Sequence, residues 1–194
     1  MRKIGIYGGT FDPVHHAHLI LAREALERLQ LEEVIFVPAA VSPHKLEANP
    51  TAAAVRLAML RAAVAGEPQF TIDERELRRP PPSFTIDTVE QMARKNPDAH
   101  LFYIMGSDNL AGLGTWRRSD DLRRLVRFVI LDRGTSVPAG DYEIIRRPID
   151  ISATEIRNRV ASRRSIRYLV PAVVEEIIRR EHLYQESTAS LQKS

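Results

Sequence analysis

Three histidines stand within four residues near the start of the chain, just after a pair of glycines. They belong to the stretch GIYGGTFDPVHHAH, which runs from Gly5 to His18. His15 and His18 are three residues apart, so their imidazoles share one face of a helical turn. Imidazoles placed in this way donate hydrogen bonds to phosphate oxygens, and more strongly when they are protonated. The spacing therefore predicts a site for a phosphate-bearing ligand.

The glycines Gly8 and Gly9 follow a short apolar run and precede the predicted helix. Glycine adopts positive φ easily and lets a ligand approach main-chain N–H groups closely. The N-terminus of a helix behind such a turn attracts anions, because its first N–H groups lack helical partners. Two glycines are also common in a strand-to-helix turn that binds nothing. The histidines that follow favour a phosphate-binding turn over this alternative. The loop matches neither the Walker A pattern nor the G-x-G-x-x-G fingerprint.

A metal site is the alternative role for so many histidines. The chain has no cysteine, and no acidic residue follows at the spacing of the zinc proteases. We therefore rank a metal site below a phosphate site and assign no metal ligands. His16 is expected to face away from the ligand, and Asp12 could cap the helix.

A second polar stretch, ISATEIR, runs from Ile151 to Arg157. Ser152 can cap a helix, and Glu155 three residues later would complete a capping box. The free N–H groups of that turn could hold phosphates, and Arg157 would extend a planar cation toward them. Taken alone, the stretch is better explained as a capped surface helix with a solvated arginine. Beside the histidine pair, the phosphate interpretation is favoured.

Short apolar runs alternate with helical patterns along the chain, and these elements must position the polar residues. We expect strands over 3–7, 33–39, 70–73, 101–105 and 127–132, with a weaker one over 142–147, and helices over 17–29, 52–65, 85–95, 154–162 and 171–180. This alternation predicts an α/β fold, a Rossmann-like doubly wound sheet that is mostly parallel and has helices on both faces. Such sheets bind ligands beyond the carboxyl ends of their strands, where the strand order reverses.

The composition fits one domain. The chain has 194 residues, of which 44% are hydrophobic, and this is ample for a core. We expect a single domain over 1–185 and a polar, disordered tail over 186–194. The first apolar run is too short for a signal peptide, and no run approaches the ~18 residues of a membrane span, so a cytoplasmic protein is expected. The net charge is +3, and the basic residues are scattered along the chain and mixed with acidic ones. This pattern argues against a nucleic-acid binder.

Several stretches together resemble the nucleotidyltransferase superfamily that carries HxGH and ISSTxxR motifs. GGTFDPVHHAH and ISATEIR match these two motifs, and the long GGTFDP form is similar to the bacterial nicotinate-nucleotide adenylyltransferase branch. Further motifs of that branch follow in order as SPHK at 42–45, SFTIDT at 83–88 and GSDN at 106–109, with Trp116 after them. The resemblance spans nearly the whole chain except the tail. The motifs are highly specific together, although each alone is weak.

The resemblance implies transfer of AMP from ATP to nicotinate mononucleotide, which yields deamido-NAD and pyrophosphate in NAD biosynthesis. It implies that His18 stabilises the α-phosphate and that Trp116 stacks on the pyridine ring. The implied catalytic residues are His15, His18 and Arg157. The implied ATP-binding residues are Gly8, Thr10, Phe11, Gly106, Asp108, Ile151, Ser152 and Thr154. The implied residues for the second substrate are Gly9, Lys45, Thr85, Trp116 and Arg133.

The partners implied in this way are small molecules, with Mg²⁺ entering together with ATP. Magnesium binds mainly through phosphates and water, so no cage of carboxylates is required. No nucleic-acid or membrane partner is expected, and a homo-oligomer is left open.

Two positions depart from the motifs, and two kinds of alternative remain. Ala17 stands where HxGH has glycine, and Ala153 replaces a serine of the second motif. One alternative is an adenylyltransferase of the same superfamily for nicotinamide mononucleotide or phosphopantetheine, or a cytidylyltransferase. The other is a nucleotide-binding sensor that has lost turnover, which only Ala17 suggests. The choice between the acid and the amide nucleotide is open at the level of sequence.

Overall fold

Six strands form one sheet in which every neighbouring pair is parallel. The computed structural model describes residues 1–40, 50–80, 82–132, 134 and 140–185. The strand order is β3-β2-β1-β4-β5-β6. The strands are β1 Arg2–Gly9, β2 Glu33–Pro38, β3 Phe70–Ile72, β4 Ala99–Gly106, β5 Arg127–Asp132 and β6 Glu143–Arg146.

The strand order reverses at the centre of the sheet, between β1 and β4. Ile6 of β1 pairs with Ile35 of β2 on one side and with Tyr103 of β4 on the other. The chain builds outward in one direction from β1 to β3 and then returns to start the second half at β4. The carboxyl ends of β1 and β4 therefore flank the crevice in which such sheets bind ligands.

Helices cover both faces of the sheet. They are α1 His16–Arg28, α2 Ala53–Val64, α3 Thr85–Lys95, α4 Ser119–Leu125, α5 Ala153–Ala161 and α6 Ala172–Arg180, and a 3₁₀ segment covers Ser107–Thr115. The first core cluster joins the sheet to α1, α2, α5 and α6. The second core cluster joins the sheet to α3, α4 and the 3₁₀ segment. Because successive strand residues point to opposite faces, Ile6 belongs to the second cluster and Tyr7 to the first.

The fold class expected from the sequence is confirmed, and each expected strand and helix is present. The strands are apolar runs because both faces of the sheet are covered, as in other parallel sheets. Two elements were not expected, the 3₁₀ segment and α4, which are short and carry little helical periodicity. No helix in the described part of the chain has the length and apolar character needed to cross a membrane. The SPHK motif at 42–45 and the expected tail at 186–194 lie outside the described residues.

Candidate active site

A cavity of about 380 Å³ opens at the carboxyl ends of β1 and β4. It gathers residues from the loop after β1, from the start of α1, from the end of β4 and from the first turn of α5. Ile151 does not line it and packs, half-buried, against the first core cluster. The remaining residues expected to be catalytic or to bind ATP all line this cavity: Gly8, Thr10, Phe11, His15, His18, Gly106, Asp108, Ser152, Thr154 and Arg157.

The two histidines form a rigid pair at the N-terminus of α1. Their rings stack with centroids 3.7 Å apart and planes inclined by 25°. His15 is the N-cap residue, and its main-chain N–H donates to His18 Nδ1 at 3.2 Å. Because Nδ1 of His18 accepts this bond, Nε2 carries the hydrogen that a ligand can receive. The edge of the His18 ring also contacts Phe11, with centroids 5.1 Å apart, so the imidazole is held between two rings.

The glycines before this pair allow close packing and do not supply a turn. Gly8 and Gly9 are the last residues of β1, and neither has a positive φ, whereas Phe11 in the loop has φ of 50°. A Cβ at Gly8 would clash with Tyr103 Oη, and one at Gly9 would lie 2.9 Å from the Phe11 ring. The expectation that these glycines supply positive φ is therefore wrong. They are required because aromatic side chains approach the end of the strand.

The methyl group of Ala17 is fully buried and is not part of the cavity lining. The departure from HxGH at this position therefore adds volume to the core side of α1 and not to the ligand side. His16, the third histidine, also stays outside the lining, as expected.

Arg157 reaches across the cavity from α5 to the loop after β1. Its Nη1 donates to the carbonyl of Asp12 at 2.8 Å, and its Nη2 donates to Thr154 Oγ1 at 3.2 Å. Ser152 caps α5, since its Oγ accepts from Glu155 N at 3.1 Å. The expected return bond of a capping box is absent, and the Glu155 carboxylate instead lies 3.8 Å from Arg159 Nη1. The N-terminus of α5 and a guanidinium thus face the same space as the histidine pair.

Asp12 is a buried junction between segments and does not cap α1, where His15 takes that position. Its Oδ2 accepts from the main-chain N–H of Thr51 at 3.0 Å, and its Oδ1 accepts from the Tyr184 hydroxyl at 2.5 Å. The suggestion that Asp12 is a helix cap is therefore wrong. Its carboxylate ties the loop after β1 to two distant parts of the chain.

The buried Arg56 of α2 holds the backbone beside the cavity, and the sequence analysis did not predict it. It is 1% exposed, and its guanidinium donates to the carbonyls of Thr10, Ala39, Ala40 and Thr51. Burial lowers the pKa of this guanidinium, and the nearby Asp12 carboxylate opposes the shift. A signal for it exists in the sequence, since Arg56 falls on the same helical stripe as the buried Met59 and Leu60.

A second cavity, of about 320 Å³, lies beside the end of β1, where Gly8 and Gly9 line it. It contains Gly9, Thr85 and Trp116, three of the residues expected to bind the second substrate. The two cavities share the segment Gly8, Gly9 and Thr10. Ligands in the two cavities would therefore meet at the end of β1.

Trp116 forms one wall of this second cavity. The ring of Tyr103 meets it edge-on, with centroids 5.8 Å apart and planes at 89°. The Tyr103 hydroxyl lies 3.5 Å from Thr85 Oγ1, and burial raises the pKa of this phenol. The half-buried indole is thus held by a neighbour on one side and keeps surface toward the cavity. Such a surface suits stacking against a planar ring.

The same cavity combines a helix N-terminus with a buried carboxyl group. No side chain caps α3 at Phe84, and Phe84 and Thr85 line the cavity. Free N–H groups at a helix start attract a carboxylate. Glu76, which the sequence analysis also missed, is 8% exposed and accepts from Thr88 Oγ1 at 2.7 Å. Burial raises the pKa of Glu76, although the hydrogen bond from Thr88 opposes this.

Two expected substrate residues, Lys45 and Arg133, lie outside the described residues. Within the described ranges, no three His, Asp or Glu side chains group closely enough to hold a metal ion. The donors at the first cavity are imidazoles, a guanidinium, hydroxyls and main-chain groups. That set matches the oxygens of phosphate groups, to which donors of this kind bind.

A doubly wound parallel sheet with these donors at its reversal point is the architecture of an α/β nucleotidyltransferase, and the comparisons with known proteins agree with this class. A family model described as cytidylyltransferase-like matches residues 6–159. A probable nicotinate-nucleotide adenylyltransferase of Thermomicrobium roseum is 43% identical over 204 residues, covering 98% of this chain and 95% of the relative. Another, of Exiguobacterium sibiricum, is 41% identical over 191 residues, covering 94% and 98%. The chain belongs to the cytidylyltransferase-like family and, within it, to the nicotinate-nucleotide adenylyltransferases.

The solved structures support the fold. The nicotinic acid mononucleotide adenylyltransferase of Plasmodium falciparum, complexed with NaAD, superimposes with a TM-score of 0.80. The match covers 95% of this chain and 98% of that chain at 19% sequence identity. At 19% identity this similarity shows the fold alone. The roles of individual residues are inferred from the geometry of the cavities.

Proposed function

We propose that this protein transfers the AMP group of ATP to nicotinate mononucleotide and releases pyrophosphate, forming deamido-NAD in NAD biosynthesis. One observation carries the proposal. A cavity with paired histidines and an arginine meets a cavity with a tryptophan wall at Gly8, Gly9 and Thr10. Two substrates placed in these cavities would bring a nucleophile and a triphosphate together at one point.

The reaction needs no activated protein nucleophile. An oxygen of the 5′-phosphate of nicotinate mononucleotide attacks the α-phosphorus of ATP and forms the new P–O bond. The bond from that phosphorus to the bridging oxygen of the β-phosphate breaks, and pyrophosphate leaves with the electron pair. Catalysis then consists of positioning the two phosphates and neutralising charge as it develops.

The protein groups divide this work in the proposed mechanism. His18 donates from Nε2 to the α-phosphate, and the stacked His15 holds the imidazole in place. Arg157 and the capped start of α5 receive the β- and γ-phosphates, at which the leaving charge accumulates. Gly106 and Asp108, at the end of β4, are placed to receive the ribose of ATP.

The second cavity supports the acid nucleotide as the substrate. Trp116 offers a face for the pyridine ring, and the uncapped start of α3 offers N–H groups to a carboxylate. Arg117 adds a positive charge at the rim, where it lies over the Phe84 ring at 4.7 Å. Lys45 and Arg133 remain proposed contacts of the substrate phosphate and nucleotide.

Divalent metal enters this proposal as part of the substrate, as Mg²⁺ bound to the triphosphate. Magnesium keeps water molecules and takes phosphate oxygens as ligands, which leaves the protein donors free for the remaining oxygens. Chelation with EDTA should abolish turnover, and added Mg²⁺ should restore it. A cytoplasmic location also stays a prediction, which fractionation of cells would test.

The test is pyrophosphate release from Mg-ATP with nicotinate mononucleotide, nicotinamide mononucleotide or phosphopantetheine offered separately. Release that is much faster with nicotinate mononucleotide supports the proposal. Release with only one of the others keeps the reaction and moves the substrate. Binding of ATP with no release for any of the three would favour a sensor, and reversion of Ala17 to glycine would then be the next variant.

A further inference from the structure

We infer that Tyr184, near the end of the described chain, is a positioning residue for the ATP half of the site. Its hydroxyl holds Asp12, and the main chain of Asp12 in turn holds Arg157. The inference rests on the proposed function, because it assigns Tyr184 to the phosphate cavity of that reaction. Tyr184 acts through its neighbours and takes no part in bond making or breaking.

The contact between Tyr184 and Asp12 is direct and partly buried. The hydroxyl donates to Asp12 Oδ1 at 2.5 Å, and Asp12 is 8% exposed. The other carboxylate oxygen is held by the main-chain N–H of Thr51. A buried carboxylate needs donors at both oxygens, so loss of either donor would leave Asp12 free to turn.

Asp12 passes this constraint to the phosphate cavity. Its carbonyl accepts the 2.8 Å hydrogen bond from Arg157 Nη1. Asp12, Arg157 and Tyr184 all line the cavity that holds the histidine pair. A change in the orientation of the Asp12 residue would therefore shift the anchor of the guanidinium that is proposed to receive the phosphates.

The end of α6 directs the chain so that Tyr184 enters this cavity. His182 has φ of 50°, and its N–H donates to the carbonyl of Arg179 at 3.3 Å. Leu183 N donates to the carbonyl of Ile178 at 3.0 Å, and Leu183 packs against the first core cluster. These two bonds and the left-handed residue form a common helix C-terminus, and Tyr184, with φ of 60°, follows directly after it.

The hydroxyl remains a donor under ordinary assay conditions. Burial, followed by its hydrogen bond to Asp12, raises the pKa of Tyr184 well above the usual range of a tyrosine. The contact is therefore present across the pH range of the enzyme assay, and its effect should not depend on pH there.

Tyr184→Phe removes the hydroxyl and keeps the ring. Tyr168→Phe is the matched control, because Tyr168 is 79% exposed and lies outside both cavities. Titration calorimetry with Mg-ATP measures nucleotide binding directly, and steady-state kinetics measures KM for each substrate. We expect Tyr184→Phe to weaken ATP binding by about tenfold at most, because the hydrogen bond exists before ATP binds and only the part of its free energy that depends on bound ATP enters the affinity. KM for nicotinate mononucleotide and the circular dichroism spectrum should stay unchanged.

The outcomes separate this inference from the proposed function. Equal affinity for Mg-ATP in wild type and Tyr184→Phe overturns the inference, and so does a parallel loss of affinity for both substrates, which indicates a general structural role. An ATP-specific loss supports it. If the wild-type protein released no pyrophosphate but Tyr184→Phe still bound Mg-ATP more weakly than wild type in calorimetry, the proposed reaction would fail while the role of Tyr184 in nucleotide binding stood.

Discussion

The histidines show how local geometry separates residues of one type. His15 and His18 stack on each other at the start of α1. His16, which lies between them in the sequence, does not line the cavity. The main-chain bond to His18 Nδ1 fixes which nitrogen faces a ligand. We therefore propose that the Nε2–H of His18 contacts the α-phosphate and has the most influence on the rate.

Replacement of this imidazole tests that role. His18→Ala should lower kcat by about 10²–10³, the typical effect of losing one preorganised donor to a developing charge. His16→Ala changes a neighbouring ring outside the cavity and should stay close to wild type. Pyrophosphate release at saturating substrates gives kcat for both variants. Near-wild-type turnover in His18→Ala would remove His18 from the mechanism.

Trp116 should act on one substrate only. Stacking of a planar ring on an aromatic side chain contributes ~1–3 kcal/mol, so Trp116→Ala should raise KM for nicotinate mononucleotide about 10- to 100-fold. Trp116 does not line the ATP cavity, so KM for ATP should change little. Trp116→Phe retains a ring and should recover part of the loss. An equal rise in both KM values would contradict the stacking role.

At the scale of elements, the loops are held by buried polar side chains that come from other elements. Arg56 of α2 donates to four carbonyls, which belong to the loop after β1, to the residues after β2 and to the approach to α2. The carboxylates of Asp12 and Glu76 likewise accept hydrogen bonds that hold the loops in which these residues lie. About half of the residues that line the two cavities lie in helices or strands, and these buried side chains hold the loop residues among the rest.

Removing the guanidinium should cost a large share of the stability of the fold. Arg56→Met leaves four carbonyls without their donor, and a net loss of about 3 kcal/mol in the free energy of unfolding is expected. Urea denaturation monitored by circular dichroism measures it. Arg56→Lys keeps a charge but supplies fewer donors in a different geometry, so it should fall between wild type and Arg56→Met. A loss below ~1 kcal/mol in Arg56→Met would show that the carbonyls find other donors.

Glu76 should make stability depend on pH. Burial raises its folded-state pKa above the unfolded value, so over the window between the two values the folded state keeps a proton that the unfolded state loses. Stability then falls as pH rises through that window and levels off above it. Glu76→Gln cannot ionise, so its melting temperature relative to wild type should rise as the pH increases above the ordinary pKa of a glutamate, and then level off. Glu176→Gln, on an exposed part of α6, controls for the amide itself, and a flat difference for Glu76→Gln would refute the assignment.

At the scale of the whole molecule, the reversal of strand order creates one junction for two ligands. The first core cluster supports the histidine and Arg157 side, and the second supports the Trp116 side. The end of β1 is common to both cavities. The proposed direct transfer therefore requires both substrates on the protein before the α-phosphorus is attacked.

Steady-state kinetics should reflect this arrangement. Initial-rate plots for ATP at several concentrations of nicotinate mononucleotide should intersect, as in a sequential mechanism. Labelled pyrophosphate should not exchange into ATP when the second substrate is absent. Parallel lines, or exchange with ATP and pyrophosphate alone, would indicate a covalent intermediate on the protein, and the direct attack would then be wrong.

The fold class, the histidine pair and the gathering of most residues expected to bind ATP could be predicted from the sequence. Apolar runs and helical stripes are local signals, and strands of a parallel sheet end on one side, so motifs after different strands must meet. The sequence did not reveal that Gly8 and Gly9 serve packing against Tyr103 and Phe11. Nor did it show why Arg56 lies in a core stripe or what Tyr184 touches.

These points became visible in the folded molecule, because each depends on partners far apart along the chain. Arg56 bonds carbonyls up to 46 positions away, and Tyr184 bonds a residue 172 positions away. Periodicity records which side of an element is buried but not which distant groups lie against it. The motifs therefore predict which chemistry the chain carries, and the long-range hydrogen bonds determine how its groups are held in place.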